Sequence, residues 1–213
     1  MSLVHKVKRG DCISSIALRY GFAPDTLWQH PGNTALRAKR ADPNILLEGD
    51  EIFVPDLRLG EVEAVTARRH RFRRVGVPEV FRARFLDWQG RPRAGLAYRF
   101  AVDGAPPREG TLDADGWLKE WIPPDGARAE ITLLDRGREE RHEALLGHLD
   151  PVTEITGVQA RLNNLGYRCG PESGELDART RAALASFQQE HGLEATGEID
   201  DATRGKLAQR YGA

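Results

Sequence analysis

The stretch Gly174-Glu175-Leu176-Asp177-Ala178-Arg179-Thr180-Arg181, closed by Leu184, recurs as Gly197-Glu198-Ile199-Asp200-Asp201-Ala202-Thr203-Arg204, closed by Leu207. In each copy a glycine turn leads to an apolar residue and then to an aspartate, Asp177 or Asp200. That aspartate is placed to cap a helix carrying threonine in its first turn. Ahead of the first copy, Ile155, Val158, Leu162 and Leu165 share one helical face, and Gly166 ends the run. The pattern predicts three helices joined by two matching loops over residues 152–213, with Leu184, Phe187, Leu193 and Leu207 on the buried period.

Upstream, residues 58–148 have a different texture. Apolar and polar residues alternate at Val80 to Leu86, Leu96 to Val102, Trp117 to Ile122 and Ala129 to Leu134, which reads as four strands. Asp87-Trp88-Gln89-Gly90, Asp103-Gly104, Asp113-Ala114-Asp115-Gly116 and Pro123-Pro124-Asp125-Gly126 separate them as turns, so a small antiparallel sandwich is expected. Asp113, Asp115 and Asp125 invite a calcium reading, but no full ligand spacing follows and Asp-Gly pairs are what hairpins require. Arg68, Arg69, Arg71, Arg73 and Arg74 surround His70 and Phe72. A solvated strand face is the favoured reading of this cluster, and a hold on an anionic polymer is the alternative. Trp88, Trp117 and Trp121 are expected in the sandwich core or at its rim, with sugar stacking as the alternative. The charged run Glu139-Glu140-Arg141-His142-Glu143 reads as a solvated linker.

Residues 1–57 begin with a strand-like Val4 to Val7. A helical period follows through Ile13, Ile16, Ala17 and Tyr20, with Asp11 expected as its cap and Gly21 as its stop. Further helix is expected at Thr26-Leu27-Trp28 and at Ala35 to Lys39, and Ile52 to Pro55 reads as a returning strand. The chain is therefore expected to be multidomain and α+β.

Four resemblances give these segments functional content. Val7, Gly10-Asp11-Cys12-Ile13, Ile16-Ala17, Tyr20-Gly21, Leu27 and then Asn44, Leu47, Gly49-Asp50, Ile52 and Val54-Pro55 together resemble a LysM module. That resemblance implies a βααβ fold binding N-acetylglucosamine-containing chains between two loops. Here those loops are Gly10, Asp11, Cys12 and Ile13 on one side and Asn44, Ile45, Leu46 and Leu47 on the other. Ile13 and Leu46 would touch the acetyl methyl. The sequence departs from the family pattern at Cys12, where threonine is usual, and in an insertion from His30 to Arg40. Val158-Gln159, Leu162, Leu165-Gly166-Tyr167, Gly174 to Thr180, Ala183, Phe187-Gln188 and Gly192-Leu193 resemble the three-helix peptidoglycan-binding module found beside wall hydrolases. It implies a module that holds peptidoglycan without cutting it, with contacts at Tyr167, Arg168, Gly174, Glu175 and Gln188. The middle segment is similar to transthyretin-like or immunoglobulin-like spacer sandwiches. The insertion and Leu145 to Pro151 look like LysM proteins associated with type VI secretion spikes and phage-tail devices, which implies a spike protein or co-encoded effector as a further partner.

Bulk properties exclude other classes. Lys and Arg total 31 against 32 Asp and Glu, leaving a net charge of −1 and no field to hold a nucleic acid. No run reaches the roughly 20 apolar residues of a membrane span, so no membrane insertion is expected. The start carries no signal peptide, so the expectation is synthesis in the cytoplasm and action in the periplasm or at the cell wall after delivery by an injection system. Six scattered histidines show no metal-binding spacing, and no nucleophile–base pair or separated carboxylate pair is evident. No enzyme, cofactor or metal is expected. Cys12 and Cys169 are expected as reduced, partly buried thiols, with a single cross-domain bridge as the alternative.

Overall fold

The computed structural model describes residues 2–57, 63, 65–70 and 79–211. Among them the chain is α+β, with helices, antiparallel sheets and three separate hydrophobic clusters following one another along the sequence.

The first cluster lies within residues 2–57. Strands β1 (Leu3–Lys6) and β2 (Glu51–Val54) pair antiparallel, with His5 opposite Ile52. Between them run α1 (Ile13–Tyr20), α2 (Pro24–Trp28), a 3-10 turn (Pro31–Asn33) and α3 (Thr34–Lys39). The cap of α1 differs from expectation. Cys12 takes the capping position, its sulfur accepting from Ser15 N at 3.4 Å while Ser15 Oγ accepts from Cys12 N at 2.9 Å. Asp11 points instead to the start of the chain, where His5 Nε2 lies 3.0 Å from Oδ2, Lys8 N donates to that oxygen and Arg19 donates to Oδ1. The insertion is sewn into the core by Asn33, which is 1% exposed. Its amide donates to Leu27 O and Phe53 O, and its oxygen accepts from Phe53 N at 2.7 Å, completing the free edge of β2. Arg40 closes the insertion with a bidentate pair to Asp50 at 2.7 and 3.0 Å.

The second cluster is a two-sheet sandwich. One sheet pairs β3 (Glu79–Arg84) with β6 (Trp117–Ile122). The other has the order β5-β4-β7-β8, built from β5 (Arg108–Thr111), β4 (Ala97–Val102), β7 (Arg128–Asp135) and β8 (Arg138–Leu145). Tyr98, Phe100 and Val102 from β4 and Ala129, Ile131 and Leu133 from β7 meet Leu118 of β6 and Phe81 of β3 across the interior. Period-2 alternation put the four predicted strands close to their observed places. The run Glu139 to Glu143 is not a linker: it is the centre of β8, paired with β7 from Asp135↔Arg138 to Arg128↔Leu145. Its charged side chains suit an edge strand, where they discourage further pairing. The three tryptophans are not core either, since Trp88 is 88% exposed, Trp121 is 60% exposed and Trp117 is half-buried on the outer face of β6. Asp113 accepts from Asp115 N and Trp117 N, and Asp103 accepts from Ala127 N and Arg128 N, so these carboxylates order turns. Of the basic cluster, Arg68 and Arg69 are exposed, while Arg71, Arg73 and Arg74 lie outside the described residues.

The third cluster joins α4 (Ile155–Asn164), α5 (Ala178–Glu190) and α6 (Asp201–Tyr211) around Val158, Leu162, Cys169, Ala183, Leu184, Phe187 and Leu207. Gly157 is required where this helical unit meets the preceding chain. A Cβ there would stand 2.1 Å from Pro151 O and 2.5 Å from Asp150 O. Buried Arg161 donates to Asp150 O and Gly157 O, both at 2.8 Å, and its guanidinium lies over the Tyr211 ring. Both cysteines are free and buried. Burial pushes each thiol pKa upward, which disfavours the reactive thiolate.

Candidate functional site

Two surfaces were expected to hold glycan, and the structure treats them differently. At the N-terminal loops, Ile13 is fully buried and Leu46 is 6% exposed, both within the first core cluster. They support the module from inside and do not offer an apolar floor to a ligand. Asp11 and Cys12 are buried as well, while Gly10, Asn44, Ile45 and Leu47 are partly exposed. The two loops also meet directly, Ile13 N donating to Pro43 O at 3.1 Å.

The chain's own later segments cover this place. Glu79, at the start of β3, accepts from Ser14 Oγ with one carboxylate oxygen and from Asn44 Nδ2 with the other at 3.3 Å. The Cys12 thiol lies 3.9 Å from Pro124 O. Gly147 packs so closely on Gly10 that a Cβ would fall 2.5 Å from Gly10 O, and Arg9 Nε donates to His148 Nδ1 at 3.2 Å. What remains is a crevice of about 130 Å³ lined by Arg9, Gly10, Asp11, Leu46, Leu47 and Gly147 among others. Small-molecule sites usually need about 300–1,000 Å³. A larger, open concavity of about 640 Å³ sits on the same module but shares no residue with the expected groove. It is lined by Phe22, Thr26, His30, Phe53 and Leu57, with His30 stacked on Phe53 at 4.8 Å.

The C-terminal loops are built differently, by two buried glutamines. Gln159 of α4 donates to Glu175 O and Thr180 Oγ1, both at 3.0 Å, and its oxygen accepts from Gly174 N at 2.9 Å. Gln188 of α5 repeats this in the second copy. It donates to Glu198 O and Thr203 Oγ1 at 2.9 Å and accepts from Gly197 N at 2.8 Å. Asp177 and Asp200 cap the following helices through Thr180 N and Thr203 N, each at 2.7 Å. Those amides hold both carboxyl pKa values below the ordinary range; at Asp200 the Thr203 hydroxyl contributes most. Each repeat therefore displays a rigid, glycine-cornered loop whose backbone polar groups are fixed from below.

Of the expected contacts here, Arg168 and Glu175 are exposed and Gly174 is partly exposed. Tyr167 is half-buried, edge-on to Phe187, with its hydroxyl donating to Glu190 at 2.7 Å and 3.3 Å from His191 Nε2. Burial and the Glu190 carboxylate push the Tyr167 pKa up, so it stays a neutral donor. Gln188 is different, being fully buried, and its amide holds the loop without facing solvent. Gln159, which has the same role, was not singled out from sequence. The signal existed but was obscured, because Gln159 precedes its threonine by 21 residues and Gln188 by 15. Asn163 also holds a loop, donating to Gly170 O and accepting from Cys169 N.

Among the described residues no cluster of His, Cys, Asp and Glu could hold a metal ion, and no helix is long and apolar enough to cross a membrane. No curated protein and no solved structure matches the chain. Residues 152–207, well under half of the chain, match the family model described as "Putative peptidoglycan binding domain", so this segment is similar to that family.

Proposed function

We propose that the protein is a non-catalytic peptidoglycan-binding protein whose C-terminal module grips the wall and whose N-terminal module is a LysM-like unit locked against the rest of the chain. The observation carrying this reading is the pair of glutamine-clamped loops within the segment that matches the peptidoglycan-binding family. The glutamines hold the exposed residues Glu175 and Glu198 of these loops in one geometry, and such pre-ordering lowers the entropy lost on binding. Simultaneous gripping by both ends would need the N-terminal loops to be open, and in this conformation Glu79, Pro124 and Gly147 stand over them. Avidity from two independent modules is thus replaced by one exposed module on a braced body. The experiment is pelleting of the full chain with purified sacculi, followed by analysis of the released fragments. Co-sedimentation without new reducing ends or free peptides is expected, and a protein left wholly in the supernatant overturns the reading.

A second reading, an adaptor of a contractile injection spike with modules used for protein docking, is favoured by the same covered groove. A LysM-like unit already holding protein atoms at its loops is suited to protein contacts. Co-purification with a spike or effector, without sacculus binding, would select it.

A further inference from the structure

The outer face of the β3–β6 sheet carries an unusual stripe. Val80, Arg82 and Arg84 project in succession from β3, Leu86 and Trp88 follow in the chain beyond its end, and Trp117, Lys119 and Trp121 project beside the first three from β6. Val80, Leu86, Trp88 and Trp121 are exposed by 45, 43, 88 and 60%, and together they form a large share of the exposed large hydrophobic residues among the described residues. Such a concentration marks a contact surface more often than scattered exposure does. The strand part of the stripe, from Val80 to Arg84, is about 13 Å long at about 3.3 Å per residue.

Its charge sets it apart from the other sheet. On the β5-β4-β7-β8 sheet, Arg99 pairs with Glu109 and Glu139 and Arg128 with Glu143, and Arg93, in the chain before β4, pairs with Asp135 and Glu140. On the stripe, among the described residues, no carboxylate pairs with Arg82 or Arg84. Their guanidinium carbons lie 4.9 and 5.7 Å from the Trp117 ring centroid, and Arg84 donates to a backbone oxygen, Asp115 O, at 2.9 Å. Lys119 has one acid at the margin, Asp113, at 3.5 Å. Of the three cations on the stripe Lys119 alone has an acid partner, while Arg82 and Arg84 are held over the single Trp117 ring, with the open indole of Trp121 at one end.

We propose that this stripe is a second peptidoglycan contact, in which Trp121 stacks on a sugar ring and Arg82, Arg84 and Lys119 receive the carboxylates of the stem peptides or lactyl groups. The inference rests on the reading of the C-terminal module as a wall-binding unit. A linear, carboxylate-bearing glycan matches the stripe in shape, sign and aromatic content, whereas the chain's net charge of −1 gives no general attraction for polyanions.

The test measures binding of the full chain to native sacculi and to sacculi whose carboxylates have been converted to amides. Three proteins are compared: the wild type, the double variant Arg82→Gln/Lys119→Gln, and Trp121→Ala. Their melting curves are recorded alongside, and these exposed positions should leave melting unchanged. The wild type should bind amidated sacculi about fivefold to tenfold more weakly than native ones. The double variant, which keeps Arg84, should be weakened on native sacculi by part of that factor and should respond less to amidation than the wild type does. Trp121→Ala should be weakened on both. Variants that match the wild type on both substrates, or a double variant that still responds to amidation as the wild type does, overturn the stripe while leaving the C-terminal module standing. A wild type that does not pellet with native sacculi overturns both.

Discussion

Replacing Gln188 with alanine separates a loop-holding glutamine from a ligand-contacting one. The side chain is fully buried and makes four hydrogen bonds, to Thr196 Oγ1, Glu198 O and Thr203 Oγ1 as donor and to Gly197 N as acceptor. Gly197 is buried, so its orphaned N–H should carry a full desolvation penalty of about 1–3 kcal/mol. Glu198 is exposed and its carbonyl can turn to water, while the two hydroxyls can rotate, so the remaining losses should add only about 1 kcal/mol. The total of about 2–4 kcal/mol should lower the melting temperature of the C-terminal unit by about 10 °C or more, given its small size. Amide exchange should accelerate selectively in residues 194–203. The matched substitution Gln159→Ala should act the same way on residues 173–180, because its bonds correspond one for one. The reasoning is refuted if Gln188→Ala keeps the wild-type melting temperature and loop protection but loses sacculus binding. The side chain would then be serving the ligand.

Glu79→Ala removes the acceptor for Ser14 and Asn44 and should give the full chain a measurable affinity for soluble N-acetylglucosamine oligomers by calorimetry; unchanged heats would show that the groove is closed by more than this latch. At Asp50, burial opposes ionisation, but the Arg40 pair and the Leu47 amide outweigh it and hold the carboxyl pKa low. At Asp11 the Lys8 amide, His5 and Arg19 likewise outweigh burial. Both pKa values are depressed on folding, so their contribution is fully present above the unfolded value of about 4 and is lost as pH falls through the folded value. Melting of residues 2–57 should therefore drop steeply below about pH 4, and a flat acid profile would contradict the assignment. Asp50→Asn leaves the Arg40 charge nearly buried and unpaired and should cost about 3 kcal/mol or more at neutral pH, read by urea unfolding. Cys12→Ala should cost about 1 kcal/mol through the lost cap of α1, whereas Cys12→Ser should restore it; equal stabilities would mean that the thiol cap is silent.

What could be read from the sequence follows the range of the interactions involved. The C-terminal repeats were legible because Asp177 and Asp200 cap helices within three residues of themselves and the glycines at 174 and 197 turn the chain locally. Strands β4, β6 and β7 were legible because each alternates between core and solvent. Strands β5 and β8 alternate in no such way, since Arg108-Glu109-Gly110-Thr111 and Arg138 to Glu143 are polar on both faces. They are strands because β4 and β7 offer them a backbone edge, which is a property of the neighbour and not of the segment. Asp11 is expected in the capping role that Cys12 takes, because either side chain can reach the first turn of α1. The choice was made by His5 and Arg19, which draw the carboxylate away. The covering of the N-terminal loops is the extreme case, with partners 65, 112 and 139 residues apart. Those contacts decide whether the loops around Gly10 and Asn44 are open to solvent. A segment that resembles a glycan-binding module can still have its loops covered by a glutamate that no local pattern marks.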